Sequence, residues 1–155
     1  MVGYMGTRER GSAIVETALM VPWLFMLFMG ILDLGFYSYA AICIQNAARA
    51  AAIQGAENND TTMTTSVCLA ALGELNQLLG TGSVTCPAPT SVSTGNPVAM
   101  TGTVLTAPNC ADCGPTPTAK SYQAAVTYQT IQLVPIPGLM GRMTMTRVAE
   151  ARFFQ

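Results

Sequence analysis

The carboxylate of Glu16 is the first side chain in this sequence that could do chemistry, because it stands alone in an apolar run. No charged residue lies between Arg10 and Glu16, and none follows until Asp33. An unpaired acid at the centre of a membrane helix carries an insertion penalty of roughly 2.5 to 3.5 kcal/mol. An α-amine of this chain or of a neighbouring chain would be a suitable partner, and hydration near the lipid headgroups is the alternative.

Five cysteines supply the second candidate chemistry. Cys43 falls in a long helical stretch, where a small packing residue is expected. The other four follow it, and their even number predicts two disulfides in an oxidising compartment. Cys110 and Cys113 would form a local loop staple and Cys68 could pair with Cys86, although two other pairings remain open. A thioredoxin-like redox pair or a four-cysteine zinc site fits less well, because the closely spaced pair lies between prolines and zinc needs reduced thiols.

The composition disfavours several function classes. Only 10% of the 155 residues are charged, the mean hydropathy is +0.39 and histidine is absent. The lack of histidine removes the commonest general base and metal ligand. The net charge of −1, without a basic stripe beyond the N-terminus, is not that of a nucleic-acid-binding protein. We therefore expect a non-catalytic, membrane-anchored or secreted protein with no cofactor, no metal and no nucleic-acid partner.

The element that positions Glu16 is one long helix. The apolar run to Leu32 continues into an alanine-rich tail, and helix-forming sequence persists to about Gln54. Gly55 is the expected stop, since a glycine just past the last helical residue can adopt the left-handed capping conformation. A helix from about Ala13 to Gln54 is longer than the roughly 20 residues that cross a bilayer. A membrane anchor therefore explains only its first half.

Two simple explanations exist for that first half. A secretory signal peptide would use Arg8 and Arg10 as its basic region, Ala18 to Leu34 as its apolar region and Ser38-Tyr39-Ala40 as its cleavage site. A plain single-pass anchor would retain the segment, and the positive-inside rule then places the N-terminus in the cytoplasm. Neither explanation accounts for the alanine-rich continuation of the helix.

After position 55 the sequence predicts an α+β head, residues 56–155. Apolar residues at helical spacing predict an amphipathic second helix from about Asp60 to Leu79, capped by Asn58-Asn59-Asp60. This helix would pack on a small antiparallel sheet, and residues 87–119 form a Pro/Thr/Ser-rich loop region. The predicted strands are Ser83 to Cys86, Val98 to Leu105 at an edge, Tyr122 to about Leu133, and Met143 to Phe154. The apolar turn 135–141 would be either an exposed interaction site or part of the core.

Motifs at both ends of the chain resemble TadE-like pseudopilins of the tight-adherence (Tad/Flp) pilus system, within the type IV pilin-like superfamily. The middle of the chain is not covered by this resemblance. The N-terminal motifs are Gly11-Ser12-Ala13-Ile14-Val15-Glu16, Pro22, the Gly30-x-x-Asp33-x-Gly35 step and Ala47-Ala48-Arg49. The C-terminal motifs are a Val126-x-Tyr128 strand, a Pro/Leu-rich turn and a final strand ending near Arg152.

The resemblance implies that a prepilin peptidase cleaves after Gly11 and removes residues 1–11 as a cytoplasmic leader. A glycine there carries no side chain that would obstruct entry of an extended leader into the peptidase. Ser12 would become the new N-terminus, and residues 12–55 would form the membrane and assembly helix. Glu16 would then pair with an N-terminal amine, its own or a neighbour's.

The implied function is that of a minor pilin-like subunit in pilus biogenesis and surface adherence. It would be held in the bacterial inner membrane, with the head outside the cytoplasm. Gly30 and Gly35 would let neighbouring helices approach closely. The implied partners are the prepilin peptidase, other pilin and pseudopilin subunits, the inner-membrane pilus assembly platform and membrane lipid.

Two functions from other classes remain open at the level of sequence. One is a signal-anchored envelope protein with a disulfide-bonded binding head and no role in a filament. The other is a membrane-tethered thiol oxidoreductase that uses Cys110 and Cys113.

Overall fold

The computed structural model describes residues 8–76, 78, 81, 84–93, 96–106, 120–131 and 142–153, with side chains from Ala13 onward. The chain divides into two compact units, Met1–Phe36 and Tyr37–Gln155. The predicted α+β class is confirmed: a long N-terminal helix, a second helix and a small antiparallel sheet. In chain order the elements are α1 (Arg8–Glu57), α2 (Thr65–Leu75), β1 (Val98–Thr106), β2 (Lys120–Gln129) and β3 (Thr144–Arg152).

Helix α1 continues beyond Gly55, which does not act as its stop. The left-handed residue is Asn59, with a φ of 53°. The Asp60 N–H donates to the carbonyl of Gly55 at 2.9 Å, and the Asn59 N–H donates to that of Ala56 at 3.3 Å. This pair of bonds is the Schellman arrangement, which satisfies the last carbonyls of a helix. Asparagine is one of the few residues other than glycine that tolerate this conformation.

Helix α2 begins at Thr65 rather than at the predicted Asp60, because Asn58 to Asp60 complete the end of α1. Its N-cap is Thr64, whose side chain accepts from the Val67 N–H at 3.5 Å. Asp60 supports this cap, since its Oδ2 accepts from the Thr64 hydroxyl at 2.8 Å. At the other end the buried Thr81 hydroxyl donates to the carbonyl of Leu75 at 2.8 Å. The predicted end at Leu79 is wrong, because α2 ends at Leu75 and Asn76 is its C-cap.

The three strands form an antiparallel sheet in the order β1-β2-β3. Val98 of β1 lies opposite Tyr128 of β2, and Ser121 of β2 lies opposite Arg152 of β3. The predicted edge strand from Val98 is confirmed as β1. The two later strands are shorter than predicted, because β2 ends at Gln129 and β3 spans Thr144–Arg152. The predicted strand at 83–86 is wrong over Val84 to Cys86, which are not in extended pairing.

One hydrophobic core unites the second unit. Alternate residues of β2 face it, as the alternation of tyrosine, alanine and valine in the sequence predicts. The part of α1 from Tyr37 onward buries mostly alanine, and small side chains allow backbone elements to pack closely. The core includes Ala40, Ile44, Ala47, Ala48, Ala51 and Ala52 of α1, Val67, Cys68, Ala71 and Leu75 of α2, Val98 and Met100 of β1, and Tyr122, Ala124, Val126 and Tyr128 of β2.

Candidate functional site

The N-terminal residues singled out by the sequence lie in α1. Gly11 and Ser12 both lie within this helix, which begins at Arg8. The side chain of Ser12, and residues 1–7, lie outside the description. Glu16 is exposed on the helix, and among the described residues no hydrogen bond or ion pair reaches its carboxylate. The carboxylate is therefore accessible to a group from outside this chain.

The helix around Glu16 presents an almost entirely apolar and exposed surface. Trp23 is 73% exposed, Ile14 is 71% exposed and Ile31 is 67% exposed. Soluble monomers rarely display contiguous apolar surface of this extent. By length and composition, the helix from Ala13 to Glu57 can cross a membrane, with a mean hydropathy of 1.9 in its most apolar 18-residue window. This helix is a candidate membrane anchor.

Gly30 and Gly35 have empty space around them. A Cβ placed on either residue would meet no atom within 4 Å. Their lack of a side chain is therefore not required by the packing of this chain, and both can accept another backbone closely. Five residues of helix separate their directions by about 140°, so they serve different faces. Glu16 and Gly30, by contrast, lie close to four helical turns apart and share a face.

The cysteines divide into a disulfide, a free thiol and an undescribed pair. Cys68 of α2 is bonded to Cys86, at a sequence separation of 18 and with a Cα–Cα distance of 5.8 Å. Cys43 is free and buried. Cys110 and Cys113, on which the thiol oxidoreductase interpretation depends, lie outside the described residues, as does the apolar turn 135–141. The disulfide joins α2 to the segment that precedes the sheet.

The sequence did not predict the close-packed cluster that surrounds Tyr122. The ring of this buried residue lies against two glycines, Gly55 of α1 and Gly102 of β1, and a Cβ on either would be 2.7 Å from its Cζ. Its hydroxyl donates to the carbonyl of Thr62 at 2.9 Å. A glycine inside a strand, as at position 102, is the sequence signal for such close approach. Tyr122 thereby connects α1, β1 and the segment before α2.

Two tyrosines of the head have altered acidity. Burial raises the pKa of Tyr122, and the nearby Asp60 carboxylate raises that pKa further because it disfavours a second negative charge. Burial alone raises the pKa of Tyr128. Both phenols therefore remain protonated at neutral pH, and neither is a base. In the described residues no group of three or more His, Cys, Asp or Glu side chains is placed to hold a metal ion.

Residues 11–52 match the family model described as TadE-like protein. The resemblance drawn from the sequence is thus confirmed over that segment, which contains Gly11, Ser12 and Glu16. The family is one of pilus-associated structural proteins and not of enzymes. Comparisons with curated proteins and with solved structures gave no match.

Proposed function

We propose that this chain, TadE-like over residues 11–52, is a minor pilin-like subunit of a Tad-type pilus assembly system. The observation that carries the proposal is the overlap of the TadE-like segment with the exposed apolar part of α1. Such a surface needs a cover of lipid or of neighbouring apolar helices. In a membrane and then in a pilus it would receive both in turn.

Cleavage after Gly11 would give Glu16 its partner. The new α-amine would stand on Ser12, four positions before Glu16, and side groups at this spacing lie on the same face of a helix. In a low-dielectric environment a pair of opposite charges attracts far more strongly than in water. The α-amine of a neighbouring subunit could take the same place, which would fix the axial register between two helices.

The proposed orientation follows from charge and places the head outside the cytoplasm. Arg8 and Arg10 precede the apolar segment, and the next basic residue in the chain is Arg49. Basic residues favour the cytoplasmic side of a membrane span. The proposed partners are a prepilin peptidase at the leader, other pilin and pseudopilin subunits along α1, and the inner-membrane assembly platform.

The N-terminus of the mature protein tests the processing step. Intact-mass measurement of the membrane-extracted protein should find a chain that starts at Ser12. Gly11→Leu should block this cleavage because its side chain obstructs entry into a protease cleft, whereas Gly30→Ala should be processed normally. A mature chain that starts at Met1 would support a plain anchor, and one that starts at Ala41 would support a conventional signal peptide.

The role of Glu16 is tested separately from cleavage. Glu16→Gln keeps the shape of the side chain and removes its charge, so we expect a cleaved protein that is not incorporated into pili. Thr17→Val, at the adjacent exposed position, is the matched control and should assemble. Normal piliation by Glu16→Gln would refute the proposed charge pair.

The structure gives little support to the alternative, a signal-anchored envelope protein with a disulfide-bonded head. The bond between Cys68 and Cys86 is compatible with such a head, but it is equally compatible with a pilin-like head. The exposed glycines of α1 favour the filament, because an isolated anchor has no use for two sites of close helix approach.

A further inference from the structure

The two outer edges of the sheet differ in how they are covered. On the β1 edge, the Met100 N–H donates to the carbonyl of Pro89 at 3.0 Å. Further along the same edge Thr62 forms an antiparallel bridge with Thr103. Other parts of the chain therefore occupy β1, as is usual for sheet edges in proteins that avoid self-association.

The β3 edge has no such cover in the described part of the chain. The additional bonds that flank β3 run towards β2: the Thr130 N–H donates to the carbonyl of Met143 at 2.9 Å, and the Phe153 N–H donates to that of Lys120 at 3.3 Å. These bonds lengthen the β2–β3 ladder, and no described residue forms a backbone hydrogen bond to the opposite side of β3. A nine-residue strand with an open edge is a template for another strand.

The open strand carries exposed arginines on both faces of the sheet. Arg147 lies opposite the buried Val126, so it is on the core-facing side, and it is exposed. Arg152 lies opposite Ser121, on the other face, and is also exposed. Among the described residues neither guanidinium forms an ion pair, and the one acid of β3, Glu150, accepts a hydrogen bond from the Ser121 hydroxyl. In the part of the chain that the structure describes, the edge is therefore both unpaired and positively charged.

A second copy of β3 is a poor occupant of this edge. Two β3 strands paired antiparallel about Val148 would set the two Arg147 side chains diagonally across one face, about 7 to 8 Å apart. Like charges at this distance repel, and a charge on the core side of an edge strand is a known means of preventing self-pairing. Arg147 and Arg152 are five positions apart, so two carboxylates that lie opposite them on a partner strand must also be five positions apart. No two acidic residues of this chain have that spacing.

We propose that the free edge of β3 binds an extended acidic strand of another protein, antiparallel to β3, with carboxylates opposite Arg147 and Arg152. Main-chain hydrogen bonds would supply the pairing, and the two ion pairs would select the partner and its register. Because Arg147 and Arg152 lie on opposite faces, the two carboxylates of the partner must be five residues apart. This inference concerns the head and does not depend on the filament role.

Binding of short labelled peptides to the full chain in detergent micelles tests the proposal. The probe is a nine-residue peptide of alternating threonine and valine with glutamate at its first and sixth positions, measured by fluorescence anisotropy. A register control moves the second glutamate to the fifth position, and a charge control has lysine at both positions. We expect the probe to bind at least about tenfold more tightly than either control.

Variants of the protein locate the site. Arg147→Glu should weaken binding of the probe by about tenfold or more and should favour a peptide with lysine at its sixth position. Arg49→Glu makes the same change of charge on an exposed position of α1 and should leave binding unchanged. Arg147→Gln, which is less disruptive, should weaken binding to a smaller degree. Absence of probe binding, equal binding of probe and controls, or equal losses in the 147 and 49 variants would overturn the proposal.

Discussion

Gly55 of α1 and Tyr122 of β2 are in such close contact that a single added carbon atom does not fit between the helix backbone and the ring. A Cβ at Gly55 would lie 2.7 Å from the Cζ of Tyr122 and closer still to other ring atoms. Tyr122 is fully buried, and its ring also lies against Gly102 of β1, so it is held close to backbone on two sides. The glycine thus permits the helix and the sheet to share one core.

Gly55→Ala should lower the free energy of unfolding of the head. Overpacking costs typically about 1 to 3 kcal/mol, which exceeds the gain of about 1 kcal/mol in helix propensity. Gly73→Ala is the matched control, because Gly73 is also helical and a Cβ there would meet nothing within 4 Å. That variant should be more stable by about 0.5 to 1 kcal/mol. Urea unfolding monitored by circular dichroism measures both, and equal effects in the two variants would contradict the close contact.

Stability of the head should fall as the pH rises past about 10, the ordinary pKa of tyrosine. The folded-state pKa of Tyr122 is raised by burial and by Asp60, and that of Tyr128 is raised by burial. Above pH 10 the unfolded chain releases these protons while the folded chain retains them. The free energy of unfolding therefore decreases with pH until the folded-state pKa values are passed. Below pH 10 this contribution to stability is fully present.

Two substitutions isolate the contribution of Tyr122 to this alkaline loss. Tyr122→Phe removes the titrating group, so the stability of this variant should fall less between pH 9 and pH 11 than that of the native chain. At neutral pH the variant should be less stable by about 1 kcal/mol, because it lacks the hydrogen bond to the Thr62 carbonyl. Asp60→Asn keeps an acceptor for the Thr64 hydroxyl and should also weaken the pH dependence. An unchanged alkaline slope in both variants would show that Tyr122 does not titrate as described.

The sequence predicted the elements better than their ends. The alternation of apolar or aromatic residues with polar ones identified β2 correctly, since Tyr122, Ala124, Val126 and Tyr128 all face the core. The start of α2 was misplaced because Asp60 and Thr64 are both good N-cap residues. What separates them is the left-handed turn at Asn59, which commits Asp60 to the end of α1.

The role of Gly55 could not be read from the sequence for a related reason. A glycine at the end of a helical pattern fits a C-cap, and it fits equally well a site where a distant side chain packs on the backbone. The choice depends on Tyr122, which reaches Gly55 only after the sheet has formed. The N-terminal segment was easier to recognise because its signals, a lone acid in an apolar run and a preceding glycine, are local in sequence.

The disulfide between Cys68 and Cys86 should contribute about 3 kcal/mol to the stability of the head, as expected for a closed loop of this length. A reductant should therefore lower the urea midpoint of the full chain in micelles. The variant with both Cys68→Ala and Cys86→Ala should start at a lower midpoint and lose less on reduction. If reduction has the same effect on the double variant as on the native chain, this bond does not stabilise the fold.

Gly30→Leu and Gly35→Leu should impair association between helices without destabilising the head. Both positions have free space around them in the single chain, so the effect on the unfolding of the head should stay within about 0.5 kcal/mol. A leucine would hold a neighbouring helix away from the backbone, and small residues are what permit close helix packing in membranes.

The two glycines point about 140° apart, so each substitution should disrupt a different helix contact and the double variant should associate least. Energy transfer between labelled copies in lipid vesicles measures the association, and the number of pili on cells measures its consequence. Ile31→Leu, which leaves the bulk of an exposed apolar position unchanged, should behave as the native chain. Undiminished association in the double variant would mean that neither glycine lies at a helix contact.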